Sequence, residues 1–179
     1  MIKTTNEELA SPSNPPADAS PAPDDRLPQA ERIVHKNVLW SMGAGILPTP
    51  ILDVLAISGV QIKMLRELSE LYGVTFMENK VKNIIAALIG GLGADYIGKT
   101  LAFSLFKLVP GFGHAAALLS IPIAAGGFTY AVGKTFIIHF ESGGTFLDFD
   151  AAKVKDSFVQ KFQEGKTQAK KLKTQPAAA

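Results

Sequence analysis

Cysteine is absent from the 179-residue chain, which excludes a disulfide framework, a thiolate nucleophile and Cys-ligated zinc or iron–sulfur centres together. Large apolar side chains are almost absent from the first 29 residues, which instead hold six of the eleven prolines among Ser, Ala and Asp. Such a stretch cannot bury enough surface to offset the entropy of ordering it, so residues 1–29 are predicted to form a disordered Pro-rich arm. Pro12, Pro15, Pro16, Pro21 and Pro23 lack the flanking basic residues that would sharpen a proline-rich recognition motif. The arm also lacks the basic start and apolar run of a signal peptide, so secretion is not expected. Histidine is sparse: His35, His114 and His139 have no paired ligand spacing, and no metal is expected. No nucleophile, base and orienting acid can be grouped as a triad, so the chain is not expected to be an enzyme and needs no cofactor. The last absence is of charge, since no Asp, Glu, Lys or Arg occurs from Leu108 to Gly133.

The charges that do occur divide the chain. Residues 1–29 carry 2 Lys/Arg against 5 Asp/Glu, residues 30–150 carry 9 against 9, and residues 151–179 carry 7 against 2. An acidic arm, a neutral apolar middle and a basic tail follow, with domain limits read as 1–29, 30–148 and 149–179. The 47% hydrophobic content is concentrated in the middle, which points toward a membrane.

From Ala30 the pattern becomes helical, with Ile33, Val34, Asn37, Val38 and Ser41 on one side. Leu47-Pro48-Thr49-Pro50 interrupts it, because a proline biases its predecessor away from helix. A second helix is predicted from Pro50 to Gly73, apolar at first except for Asp53, then amphipathic with Lys63, Arg66, Glu67 and Glu70. Asp53 reads either as an acid favouring the helix dipole or as a partner for a buried Lys99 or Lys107. A third segment runs through Ile84 to Lys107. There Ala86, Gly90, Ala94, Gly98 and Ala102 recur at every fourth position, a spacing that lets helix backbones approach closely in lipid. Asp95 and Lys99, four apart, can pair on one face and lower the cost of charge in an apolar layer. After the turn at Pro110-Gly111, residues 114–133 are long enough, at about 1.5 Å per residue, to cross a roughly 30 Å hydrocarbon layer. Pro122, Gly126 and Gly127 weaken an isolated helix there but are tolerated in a membrane bundle. Ala117, Ala125 and Gly133 complete a Gly/Ala-rich hairpin with the preceding stripe.

Lys80, Lys82 and Lys134 flank that hairpin and its tip has no basic residue, so both termini are expected on the cytoplasmic side of the inner membrane. The competing reading is an all-α bundle whose central helices are apolar all round because protein covers them. Trp40, Tyr72, Tyr96 and Tyr130 serve equally as packing residues or interfacial anchors. The letters Gly93-Ala94-Asp95-Tyr96-Ile97-Gly98-Lys99-Thr100 match the nucleotide-binding P-loop pattern. The small-residue stripe runs unbroken through this segment, and the remainder leaves no room for an alternating strand–helix domain. Gly133-Lys134-Thr135 repeats the last three letters without the first glycine. Nucleotide binding is therefore not expected.

A basic helix is predicted from near Asp148 or Asp150, with Ala151, Val154, Phe158 and Phe162 as its apolar edge and seven lysines around or beyond it. That composition suits either an anionic leaflet or one edge packed on the core, and no recognised nucleic-acid-binding pattern accompanies it.

Three stretches resemble a known family. They are Pro48-Thr49-Pro50-Ile51-Leu52-Asp53 leading to Gln61, Met64 and Leu71-Tyr72-Gly73, the turn Val109-Pro110-Gly111-Phe112-Gly113, and Tyr130-Ala131-Val132-Gly133 through His139-Phe140. Together they resemble the bacterial membrane-associated domain of unknown function found beside, or fused behind, small GTPases, the YcjF-like family. The resemblance implies an all-helical, membrane-linked module connected to a GTPase, which here acts in trans because the chain has no GTPase domain. The expected fold class is thus all-α: a membrane-associated bundle with a central hairpin, a disordered arm and a basic C-terminal helix. The expected function is a membrane-embedded adaptor whose partners are the bilayer, a GTPase and a second copy of the chain, with no nucleic acid. The alternative is a small oligomeric permeability element in which Asp53, Asp95 and Lys99 line a polar path.

Overall fold

In a computed structural model, the described residues are 23–44, 50–92 and 113–174. Among them are five helices and no strand: α1 (Pro23–Ala44), α2 (Pro50–Tyr72), α3 (Glu78–Gly91), α4 (Gly113–Glu141) and α5 (Lys155–Thr174). The all-α class is as expected.

Helix α1 starts at Pro23, earlier than the predicted Ala30. Proline suits a first helical turn, where its missing N–H costs no bond, and Asp25 sits where the helix dipole favours a carboxylate. Its inward face is Ala30, Val34, Asn37, Val38, Ser41 and Met42, which repeats the helical period. Helix α2 buries Gln61, Met64, Leu65, Leu68 and Ser69 and leaves Lys63, Arg66 and Glu70 exposed. It ends where predicted. Gly73 has φ +66°, and Val74 N–H donates to the Ser69 carbonyl at 2.8 Å while Gly73 N–H donates to that of Glu70 at 3.3 Å. This is a Schellman cap, and the left-handed residue it needs is glycine because glycine has no Cβ to clash. Gly143, φ +79°, ends α4 in the same way.

Helix α4 is the core helix. Ala125, Phe128, Ala131, Val132, Phe136, Ile137 and Phe140 are all buried and occupy most of its circumference, while Ile138 on the remaining side is 54% exposed. α1, α2 and α5 cover the buried sides. Among the described residues, no helix is long and apolar enough to cross a membrane, so the span expected across 114–133 is not supported. Most apolar side chains from Ala125 to Phe140 are covered by protein, Ile138 excepted.

Close helix approach does occur, but on α4 and α5. A Cβ on Gly165 would lie 2.7 Å from the Gly127 carbonyl oxygen and 2.8 Å from Tyr130 Cβ, and one on Gly126 would lie 2.7 Å from Met42 Cγ. Gly126 and Gly127, weak points for an isolated helix, are among the positions where α1 and α5 come close, and Gly133 lies still closer against Val34 of α1. The start of α5 is also later than expected. Asp148 and Asp150 bond to local backbone instead, with Thr145 N–H on Asp148 Oδ1 at 2.6 Å and Ala152 N–H on Asp150 Oδ1 at 2.9 Å. Short acidic side chains stabilise turns in this way, and residues 142–154 remain a loop. The expected apolar edge then packs, with Phe158, Phe162 and Ala169 buried.

Candidate functional site

Side-chain contacts give the helix directions. Asn37 bonds to Glu67 at 2.9 Å and Tyr72 to Glu141 at 2.6 Å, while Glu31 pairs with Lys134. Helices α1, α3 and α5 therefore run one way, and α2 and α4 run the other. The short connections 73–77 and 142–154 share one end of the bundle, called here the closed end. The C-terminal ends of α1, α3 and α5 share the opposite, open end with the starts of α2 and α4.

The closed end is sealed by rings. Phe136 stacks on Phe149 at 4.6 Å between centroids, Phe140 meets Phe146 edge-on at 5.3 Å, and Phe76 meets Phe146 edge-on at 5.9 Å. His139 Nε2 lies 2.8 Å from the Thr145 carbonyl oxygen beside this cluster, and Arg66 sits 4.7 Å over the Phe76 ring. Burial, then the hydrogen bond to Glu141, raise the Tyr72 hydroxyl well above its ordinary value and keep it a donor.

The open end carries a different chemistry. On α1 the last acidic residue toward it is Glu31, on α3 Glu78 and on α5 Glu164, whereas Lys36, Lys166, Lys170 and Lys171 lie beyond. α2 starts there with one acid, Asp53. Large apolar groups stand in solvent on the same half: Leu39 is 47% and Trp40 65% exposed, and Ile89 of α3 is 44% exposed. Glu31, Arg32, His35, Lys36, Leu39, Trp40 and Gly43 line a shallow groove of about 700 Å³ along the outer side of α1. Behind it, Asn37 donates to Glu67, which also takes a hydrogen bond from Lys63 at 2.6 Å and lies 3.6 Å from Lys36. Burial would raise the Glu67 carboxyl, but the bonds from Lys63 and Asn37 and the two ammonium charges hold it below its ordinary 4.5. Farther inside, Gln61 is 1% exposed, with neither amide atom bonded to protein, and Thr129 Oγ1 is likewise buried and unpartnered.

Among the described residues, no group of three His, Asp or Glu is placed to hold a metal ion.

A family described as "Domain of unknown function (DUF697)" matches residues 24–167, from the first turn of α1 into α5. The chain belongs to the DUF697 family. It is 37% identical over 166 residues to "Magnetosome membrane protein 22" of Magnetospirillum gryphiswaldense, a likeness covering 92% of this chain and 85% of that protein. No solved structure matches.

In this DUF697 chain the residues singled out for close packing separate. Ala86 and Gly90 are exposed on α3, and a Cβ on Gly90 would meet no described atom within 4 Å. Ala94, Gly98 and Ala102 lie outside the described residues, as do Asp95, Lys99 and the whole P-loop-like stretch. Asp53 falls in the first turn of α2. Gly165 and Leu39 escaped the sequence reading, which left Trp40 as either a packing residue or an interfacial anchor. The structure turns Trp40 outward, 65% exposed, one turn from the end of α1.

Proposed function

We propose that this chain is a membrane-associated helical adaptor without catalytic activity, whose open end engages a lipid bilayer and whose closed end presents charged helix surface to a cytoplasmic GTPase acting in trans. The observation that carries the reading is the contrast between the ends. Both ends expose large apolar groups, Leu27, Ile138 and Leu147 at the closed end and Leu39, Trp40 and Ile89 at the open end. Those at the open end stand beyond the last acid of their helix and beside an excess of lysine, whereas those at the closed end lie near Asp25, Glu141 and Asp148. Exposed apolar groups rimmed by positive charge match the boundary of an anionic bilayer. The membrane designation of the relative from Magnetospirillum gryphiswaldense supports the compartment. In the same reading the bundle sits on the cytoplasmic face of the inner membrane with both termini cytoplasmic, Lys80 and Lys82 lying at the closed end away from the lipid.

For the GTPase, the supporting surface is the outer side of α2, where Lys63, Arg66 and Glu70 are exposed and Arg66 lies 3.6 Å from Glu78 of α3. Fractionation of expressing cells at physiological salt, without alkaline extraction, tests the first half: the chain is expected to sediment with membranes, and recovery in the soluble fraction overturns it. Affinity capture from detergent tests the second. A GTPase at defined stoichiometry, lost on Arg66→Glu, is the expected result, and its absence removes the adaptor role.

A further inference from the structure

We propose that the outward stripe of α1, from Arg32 through Lys36 to Leu39, Trp40 and Gly43, is a lipid-contact face that seats the bundle on an anionic phospholipid surface, with Trp40 at the boundary between headgroups and acyl chains. This rests on the membrane reading above and specifies the face and the class of lipid.

Spacing is the first argument. Residues 32, 36, 39, 40 and 43 fall on one side of a helix with 3.6 residues per turn, and the buried residues Val34, Asn37, Val38 and Ser41 fall on the other. At about 1.5 Å per residue, Lys36 lies roughly 6 Å and Arg32 roughly 12 Å behind Trp40, away from the open end. With Trp40 at the boundary between headgroups and acyl chains, Lys36 and Arg32 lie on the headgroup side of it. Long basic side chains can extend toward phosphate while their stems stay on apolar surface.

Charge is the second. Glu31 is the one acid in the groove, and it turns inward to pair with Lys134. Lys36 lies 3.6 Å from Glu67, but that carboxylate is already bonded by Lys63, so the two lysines and one glutamate leave a net positive charge. Arg32 forms no ion pair among the described residues. An acidic protein partner would match Arg32 and Lys36, but it would leave Trp40, 65% exposed, and Leu39 without a comparable match. A bilayer boundary matches both ends of the stripe, because indole favours that zone.

Continuity is the third. The stripe reaches the C-terminal end of α1 at the open end, where α2 starts. Lys170 and Lys171 of α5 approach the same end.

Because Trp40 is the single tryptophan, the intact chain reports on this face directly. The full chain is mixed with vesicles of phosphatidylcholine and with vesicles of phosphatidylcholine plus phosphatidylglycerol, and both sedimentation and tryptophan emission are read. Expected are co-sedimentation favouring the anionic vesicles, a blue shift, and quenching by lipids brominated on the acyl chain. Arg32→Gln with Lys36→Gln is expected to weaken partitioning roughly thirtyfold, given the worth of each basic residue near an anionic leaflet, with unchanged helical circular dichroism. Binding without a shift or quenching of Trp40 overturns the stripe and leaves the membrane reading standing. Equal binding to both vesicles overturns the anionic preference. No binding to either overturns both readings. A shift that grows with protein concentration in the absence of lipid assigns the face to a second copy and overturns the lipid assignment.

Discussion

The closed and open ends of the bundle use apolar residues for opposite purposes. At the closed end, Phe136, Phe146 and Phe149 are inside and their rings touch one another, so the area they remove from water stabilises the fold. At the open end, Leu39 and Trp40 remain outside, so they add little to folding and are available for contact. Exposure alone does not mark the contact surface, since Leu147 at the closed end is 69% exposed; the difference is that Leu39 and Trp40 lie beside Arg32 and Lys36 and beyond the last acid of α1.

The strongest way to break the comparison is to open the closed end. Phe136→Ala is expected to cost about 3–5 kcal/mol in a denaturant titration, since it removes a fully buried ring shared by four aromatic neighbours. A loss below about 1 kcal/mol would show that the rings do not seal the core. Gly165→Val ranks next. Its Cβ would press on the Gly127 carbonyl and Tyr130, neither of which is the far end of a flexible chain, and overpacking of about 1–3 kcal/mol follows. Gly90→Ala is the matched control, expected within about 0.5 kcal/mol of the parent because that position is open.

Glu67→Gln addresses the join between α1 and α2. It is expected to cost about 1–2 kcal/mol at neutral pH through weakened charge-assisted bonds from Lys63 and Asn37. The pH profile gives a sharper result. The folded carboxyl is held below its ordinary 4.5, so the native state favours the ionised form. Its stabilisation is complete above pH 4.5 and is lost as pH falls below that value through the folded pKa, where protonation removes it. Thermal melts of the parent should show this acid-side loss, and melts of Glu67→Gln should show less of it. The smallest effect expected is that of Trp40→Ala, within about 0.5 kcal/mol in stability. A larger drop would mean that the open end belongs to the core after all.

Much of this was legible in the sequence. The inward face of α1 was marked by Val34, Asn37, Val38 and Ser41, and the end of α2 by Gly73, because periodicity and the left-handed cap are local properties. The edge of α5 was marked by Phe158 and Phe162 for the same reason. Local pattern failed where the cover was remote. The apolar run of α4 reads alike whether lipid or protein surrounds it, and only the arrival of α1, α2 and α5 distinguishes the two. Small residues were equally ambiguous: Gly90 belongs to the longer regular stripe yet is exposed, while Gly165 lies in a lysine-rich helix yet meets a backbone carbonyl.

By itself, then, the amino-acid order determined that the described chain is helical, which residues each amphipathic helix turns inward and where two helices stop, since each depends on neighbours within a few residues. Tertiary structure alone decided that Ala125, Phe128, Val132, Phe136 and Phe140 of α4 are covered by protein, that Gly126, Gly127, Gly133 and Gly165 are close-contact positions, and that Trp40 stands outside. The reason is that burial is a relation between segments far apart in the chain, and no local spacing records which distant face will cover a side chain.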